Sequence, residues 1–251
     1  MKAIVTGASG GLGLEFAKLL AADGYDLVLV ARSGDKLERI AGDLIAQHNV
    51  NVETIAQDLG TIDAAARLRD RVPMCDILIN NAGFASNARF DTVPLERTRE
   101  ELLLDVVTLT ELCRAYLPGM RDRGTGRILN VASTAAFLPG PFGAVYYAAK
   151  GYVLSFSQAI AEESRGSGVT VTCLVPGATA TGFADRANMR QTLLFKMPMA
   201  DAAPVARAGY RAMLAGRDVE IPGLSNKLLA VLVRITPRRL LLWLSRKLIE
   251  Q

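Results

Sequence analysis

Short, almost wholly apolar runs alternate along this chain with longer stretches of helical periodicity, and this alternation restricts the fold more than any other feature. Ala3-Ile4-Val5 precedes a helical stretch from Gly11 to Ala22, and Leu27-Val28-Leu29-Val30 precedes another over residues 35–47. The pattern continues through residues 52–55, 77–79, 127–131 and 169–175. A strand with one wetted face alternates apolar and polar side chains. Runs without that alternation are buried on both faces, which a parallel sheet with helices on either side provides. The expectation is a single-domain, doubly wound α/β fold. Ligands of such sheets bind beyond the carboxyl ends of the strands, near the point where strand order reverses, so the site should be built from residues just after each strand.

Composition narrows the function classes. Half of the 251 residues are apolar and 22% are charged, the balance of a folded globular protein. The net charge of +4 is concentrated in the tail, where from Ser225 onward six cations face only Glu250. The preceding residues are slightly acidic, which argues against a nucleic-acid partner. Residues 1–221 therefore read as the catalytic unit and 222–251 as a basic, apolar helical extension. Cys75, Cys113 and Cys173 are widely separated and odd in number, so neither a disulfide framework nor a metal site is expected. The lone His48 reads as a solvated helix end. The first strand begins at Lys2, leaving no room for a secretory signal, and no apolar run reaches the ~18 residues of a membrane span. These features fit a cytoplasmic protein.

The first strand runs into Thr6-Gly7-Ala8-Ser9-Gly10-Gly11-Leu12-Gly13 and then a helix, the context of a dinucleotide-binding turn. Glycine permits the tight turn and close backbone approach to a pyrophosphate, whose charge the helix N-terminus stabilises. The second strand ends at Ala31-Arg32-Ser33. An acidic residue here would suit a free ribose 2′-hydroxyl, whereas Arg32 and Ser33 suit a 2′-phosphate. NADP(H) is favoured, with NAD(H) the second candidate. Tyr146 and Lys150 lie four apart in a helical stretch, so they share a face, and the nearby ammonium should draw the phenol's pKa down toward neutrality. Ser133 follows the strand Ile128-Leu129-Asn130-Val131, where its hydroxyl can hold a substrate oxygen.

Taken together, these segments resemble the short-chain dehydrogenase/reductase family over about residues 1–220. The resemblance rests on Thr6-Gly7-x-x-x-Gly11-x-Gly13, Asn80-Asn81-Ala82-Gly83, Ser133 followed 13 residues later by Tyr146, Tyr146-x-x-x-Lys150, and Pro176-Gly177. It implies a Rossmann fold and hydride transfer between a nicotinamide and a carbonyl or alcohol carbon. Tyr146 would exchange the proton, Ser133 hold the oxygen, and Lys150 tune Tyr146 and hold the nicotinamide ribose. It also implies that Thr6, Gly7, Ser9, Gly11, Leu12 and Gly13 serve the phosphates, that Asp58 and Leu59 meet the adenine, and that Asn80, Ala82 and Gly83 support the cofactor. Pro176, Gly177, Thr179 and Thr181 would lie against the carboxamide. The family's spacings select Tyr146 over the adjacent Tyr147.

Two departures stand out. Asp105 occupies the position where the family usually has an asparagine that binds a relay water, and its charge would favour a protonated Lys150. Gly10 stands where many NADPH-preferring members carry a cation, which leaves Arg32 to read the phosphate. An NADPH-binding regulatory or scaffold protein with weakened catalysis is the alternative, with Asp105 as its only hint. Residues 183–199, rich in Met, Leu and Phe, would by resemblance cover the substrate, although a plain packed helix is an equal reading; an apolar ketone, aldehyde or oxoacyl group is expected. The helices holding Asp105 and Tyr146 are expected, again by resemblance, to join subunits in a homodimer or homotetramer. Pro237 should divide the tail into two helices, and their cations, leucines and Trp243 suggest either docking on an anionic membrane or acidic carrier, or packing on the domain.

Overall fold

The computed structural model describes residues 1–187, 189 and 191–250. The chain folds as β1 Lys2–Thr6, α1 Gly11–Ala22, β2 Asp26–Ala31, α2 Gly34–His48, β3 Val52–Ala56, α3 Ala64–Arg71 and β4 Ile77–Asn80. A long helix follows in two α-helical pieces, α4 Leu95–Leu102 and α5 Leu109–Asp122, joined without a break by the π-helical segment Leu103–Thr108. Then come β5 Gly126–Val131, α6 Ala144–Glu163, β6 Val169–Leu174, β7 Thr179–Ala180, α7 Phe183–Arg186, α8 Leu193–Lys196, β8 Ala200–Asp201, α9 Ala202–Leu214 and β9 Val219–Glu220. Two tail helices, α10 Leu224–Ile235 and α11 Arg238–Ile249, end the chain.

Seven strands form one parallel sheet in the order β3-β2-β1-β4-β5-β6-β9. The central strands are apolar on both faces for the reason their sequences imply. Ile4, Val28, Leu78 and Ile128 pack on one side against α3, α5 and α6, while Val5, Leu29, Ile79 and Leu129 pack on the other against α1 and α9. Phe16 and Leu20 of α1 are fully buried in the second layer, each worth about 1.5–3 kcal/mol by removal from water. The chain winds outward from β1 to β3 and then returns to place β4 on the other side of β1. The strand order thus reverses between β1 and β4, and the loops leaving them diverge to open a cleft.

Polar side chains inside the sheet tie its active end together. Asn80 Nδ2 donates to Asn130 Oδ1 at 2.9 Å, and Asn130 Nδ2 donates to Ser157 Oγ at 3.0 Å, linking β4, β5 and α6. Thr6 Oγ1 donates to the Ile79 carbonyl and accepts from the backbone N–H groups of Asn81 and Ala82, fixing the β4 exit to the first turn. The tail does break at Pro237, where a helical N–H is missing and the next helix starts. Among the described residues, no helix is long and apolar enough to cross a membrane.

Candidate active site

At the end of β1 the chain must turn sharply into α1, and glycine makes this possible. Gly7 and Gly11 hold left-handed backbone angles, φ 66° and 56°. A Cβ on Gly7 would approach Asn81 Nδ2 to 2.8 Å and Ala82 Cα to 2.9 Å, and one on Gly11 would approach Thr181 Cβ to 2.8 Å. The bare backbone of this turn floors the cleft, and the first turn of α1 carries no acidic side chain to oppose an anion.

The cleft, of about 420 Å³, is walled by residues that follow β1 through β6. Ser9, Gly11 and Leu12 lie at the turn; Arg32, Ser33 and Asp58 with Leu59 form one end. Ala82 and Gly83 follow β4, and Pro176, Gly177, Thr179 and Thr181 follow β6. At the other end Ser133, Tyr146 and Lys150 converge. Ser133 leaves β5 and caps a short 3₁₀ turn, its Oγ accepting from the Ala135 N–H at 3.2 Å. Helix α6 carries Tyr146 and Lys150 on one face, with Lys150 Nζ 5.5 Å from the centre of the Tyr146 ring. Tyr147 points to a different set of partners, packing close to Gly140 and Gly143 and reaching Ser245 of α11.

Lys150 is buried, and its ammonium donates to Asp105 Oδ1 at 2.7 Å and to the Val131 carbonyl at 3.2 Å. Gly83 sits against this ion pair, since a Cβ there would come within 2.6 Å of Asp105 Oδ1 and 3.3 Å of Lys150 Nζ. Burial works against the charged lysine, but Asp105 and then Tyr146 outweigh it and hold Lys150 above the ordinary lysine range. The expected fall in the Tyr146 pKa is not what the structure gives. Burial pushes the phenol up, Lys150 and Ser133 pull it down without reversing the change, and Asp105 and Glu101 add to the rise. The physical reason is first the burial of the phenol, which the nearby ammonium does not offset, and then the buried carboxylates beside that ammonium. Glu101, one turn before Asp105, is also buried; desolvation lifts its carboxyl to about 7 against the pull of Ser86 and Arg97, with Asp105 adding to the rise.

Four expected site residues do not reach the cleft wall. Thr6 and Asn80 spend their side chains on the bonds that join β1, β4 and β5. Gly13 lies beneath the turn, where a Cβ would be 2.3 Å from the Gly7 carbonyl oxygen, so its part is close packing of α1. Asp105 is shut off behind Gly83, where it accepts from Lys150 Nζ and from the Phe84 backbone N–H and bears on the cleft by its charge alone. Conversely, three features escaped the sequence reading. Lys36, in the first turn of α2, adds a second cation at that end, and Asn81, which donates to the Thr6 carbonyl at 2.9 Å, lines the middle. The tail also enters the site, with Leu229 of α10 and Ser245 and Leu248 of α11 on its wall, Leu248 in the same apolar cluster as Leu194 and Phe195.

The fold and the cleft define a doubly wound Rossmann-type protein whose glycine-rich turn is shaped to accept a dinucleotide's phosphates. Comparison with known proteins agrees: the short chain dehydrogenase family description matches residues 1–192. A very-long-chain 3-oxoacyl-CoA reductase of Rattus norvegicus is 35% identical over 188 residues, covering 72% of this chain and 60% of the relative. The chain thus spans about three-fifths of the length of that relative. Among solved structures, a short-chain dehydrogenase from Sphingobium yanoikuyae in complex with NADPH superposes with a TM-score of 0.84 at 31% identity, covering 92% of this chain and 91% of that one. A bulky-bulky ketone specific alcohol dehydrogenase from Comamonas testosteroni gives 0.79 at 27% identity, with 93% and 92% covered. This chain belongs to the short-chain dehydrogenase family.

Proposed function

We propose that the chain is an NADPH-dependent reductase of a carbonyl carried on a long apolar group, a 3-oxoacyl thioester or a comparable ketone. The observation that carries this reading is Tyr146, kept as a phenol by burial and by the carboxylates behind it, beside Ser133 and Lys150 in a cleft with an apolar roof. A phenol that holds its proton at neutral pH is equipped to donate it to a carbonyl oxygen, the role reduction requires, and the reverse oxidation uses the same groups.

The chain's own residues suit the cofactor. The glycine floor leaves no Cβ in the way, the α1 N-terminus faces the same space, and Arg32 and Lys36 provide two cations for a 2′-phosphate, with Ser33 as a further donor. Asp58, Ala82, Gly83 and Lys150 would hold the remaining parts, and Thr179 and Thr181 the nicotinamide end. When bound there, the nicotinamide supplies a hydride to the carbonyl carbon. Ser133 holds the carbonyl oxygen, and Tyr146 transfers its proton to that oxygen as negative charge develops. Lys150, kept cationic by Asp105, then stabilises the tyrosinate left behind.

Leu138, Phe183, Met189, Leu194, Phe195 and Leu248 make the substrate end strongly apolar. That lining supports a long apolar substrate, in keeping with the very-long-chain 3-oxoacyl group in the rat protein's name, while the Comamonas protein's name gives a bulky ketone. Leu102, Val107 and Tyr152 remain exposed on the helices that carry Asp105 and Tyr146, which supports a homodimer or homotetramer built through them. Reduction of 3-oxoacyl thioesters of increasing chain length, followed by nicotinamide absorbance with NADPH and NADH, tests the reading. Rates should rise with chain length and favour NADPH. Turnover confined to small polar carbonyls would remove the apolar assignment, and no turnover with either cofactor would favour a binding protein without catalysis.

A further inference from the structure

We infer that the two tail helices form an in-plane docking surface for an anionic lipid bilayer. Surface helices normally keep their apolar side chains inward, but α10 also presents an apolar face outward. Leu224, Leu228, Val231, Leu232 and Ile235 recur at helical spacing on one face, and that face is solvent-exposed, from 44% at Leu232 to 83% at Leu224. Lys227 and Arg234 run along one edge of the stripe, and both are exposed. Helix α11 is more mixed: Leu240, Trp243 and Leu244 share an outward side, with Trp243 57% exposed, Lys247 projects among them, and Arg239 and Arg246 border one edge. Its opposite face, Leu241, Ser245 and Ile249, is buried on the domain, so the outward leucines are surplus to the fold.

Charge identifies the occupant. Lys227, Arg234, Arg238 and Arg239 have no carboxylate within 4.0 Å among the described residues, whereas Arg246 and Lys247 share Glu250. Apolar stripes bordered by unpaired cations, with tryptophan among them, match the boundary between anionic headgroups and acyl chains. A second copy of the chain matches poorly, because two-fold pairing through this patch would bring its cations against themselves. Neither helix is long enough to cross a bilayer, so both would lie in its surface. Leu229, Ser245 and Leu248 on the inner sides of these helices line the substrate end of the cleft, so docking would hold that end beside the lipid. That last consequence rests on the apolar-reductase reading; the docking itself does not.

Co-sedimentation with phosphatidylcholine vesicles, with and without phosphatidylglycerol, tests the inference on the full chain and needs no turnover. The phosphatidylglycerol vesicles should retain about tenfold more protein at low salt, and added salt should reverse much of the gain. Val231→Glu with Ile235→Glu, and separately Arg234→Glu with Arg239→Glu, should each abolish the difference. These side chains face outward, so thermal melts should be unchanged. Sedimentation velocity without lipid identifies the competing occupant. Equal retention on both vesicle types, binding insensitive to both double variants, or a self-associated form that only the Val231/Ile235 variant dissociates while vesicles bind nothing would overturn the assignment. Retention by phosphatidylglycerol vesicles that salt reverses upholds it even if a variant fails to fold.

Discussion

At the residue scale, the site depends on what Gly83 lacks. A single methyl group there would collide with Asp105 and crowd Lys150, so the missing side chain lets a buried carboxylate reach the ammonium at 2.7 Å. Breaking such a buried pair from one side costs about 3–5 kcal/mol, because it strands a charge. At the far end of the cleft the controlling residues are cations. Arg32 just after β2 and Lys36 in the first turn of α2 both line the wall. Arg32→Ala should weaken NADPH far more than NADH, by about 1.5–3 kcal/mol for the loss of a charge-assisted hydrogen bond, and adding Lys36→Ala should widen the gap. Fluorescence titration checks this; equal losses for both cofactors would mean that neither side chain reads a 2′-phosphate. Arg32 was legible in the sequence because it directly follows a strand. Lys36 was not, since one lysine in the first turn of a polar helix looks like any solvated lysine until the fold turns it into the cleft.

At the element scale, the long helix formed by α4, the π-helical segment and α5 carries chemistry that its apolar pattern conceals. The widened turn at Leu103–Thr108 buries Asp105 and Thr108, and Thr108 Oγ1 donates to the Leu59 carbonyl at 2.8 Å. π-Helical turns interrupt the regular register and recur at functional sites, yet no periodicity argument detects one in advance. The sequence placed Asp105 at a relay position, but it could not show that the carboxylate bonds Lys150 directly, or that it thereby raises Tyr146. Asp105 raises the phenol's pKa in the folded chain, so Asp105→Asn should lower it. Carbonyl reduction needs the protonated phenol, and its alkaline limb should therefore move to lower pH in the variant. A pH–rate profile of kcat measures this. A limb that stays in place while kcat falls would make Asp105 a packing residue and nothing more. The apolar strands, by contrast, were readable because burial on both faces leaves only one pattern, whereas the edge strand β9, two residues long, has too little sequence to announce itself.

At the scale of the whole molecule, a sheet that reverses its strand order at β1 and β4 creates the cleft, and the tail completes it. Sequence alone left two readings of that tail open, packing on the domain and docking elsewhere. In the structure the inner sides of α10 and α11 contact the cleft while apolar side chains on their outer sides stay bare. Which side of a helix meets the domain depends on long-range packing, which helical periodicity by itself does not encode when both sides are apolar. The central claim is that this cleft reduces a carbonyl with Tyr146 as the proton donor, and Tyr146→Phe tests it most directly. The change removes one hydroxyl and leaves the glycine floor, Arg32 and Lys150 in place. NADPH consumption with a long-chain 3-oxoacyl thioester should fall by about 10²–10⁴-fold, the scale of lost general acid catalysis, while NADPH affinity by fluorescence titration changes little. A folded Tyr146→Phe variant that binds NADPH and turns over at near the parent rate would contradict the account.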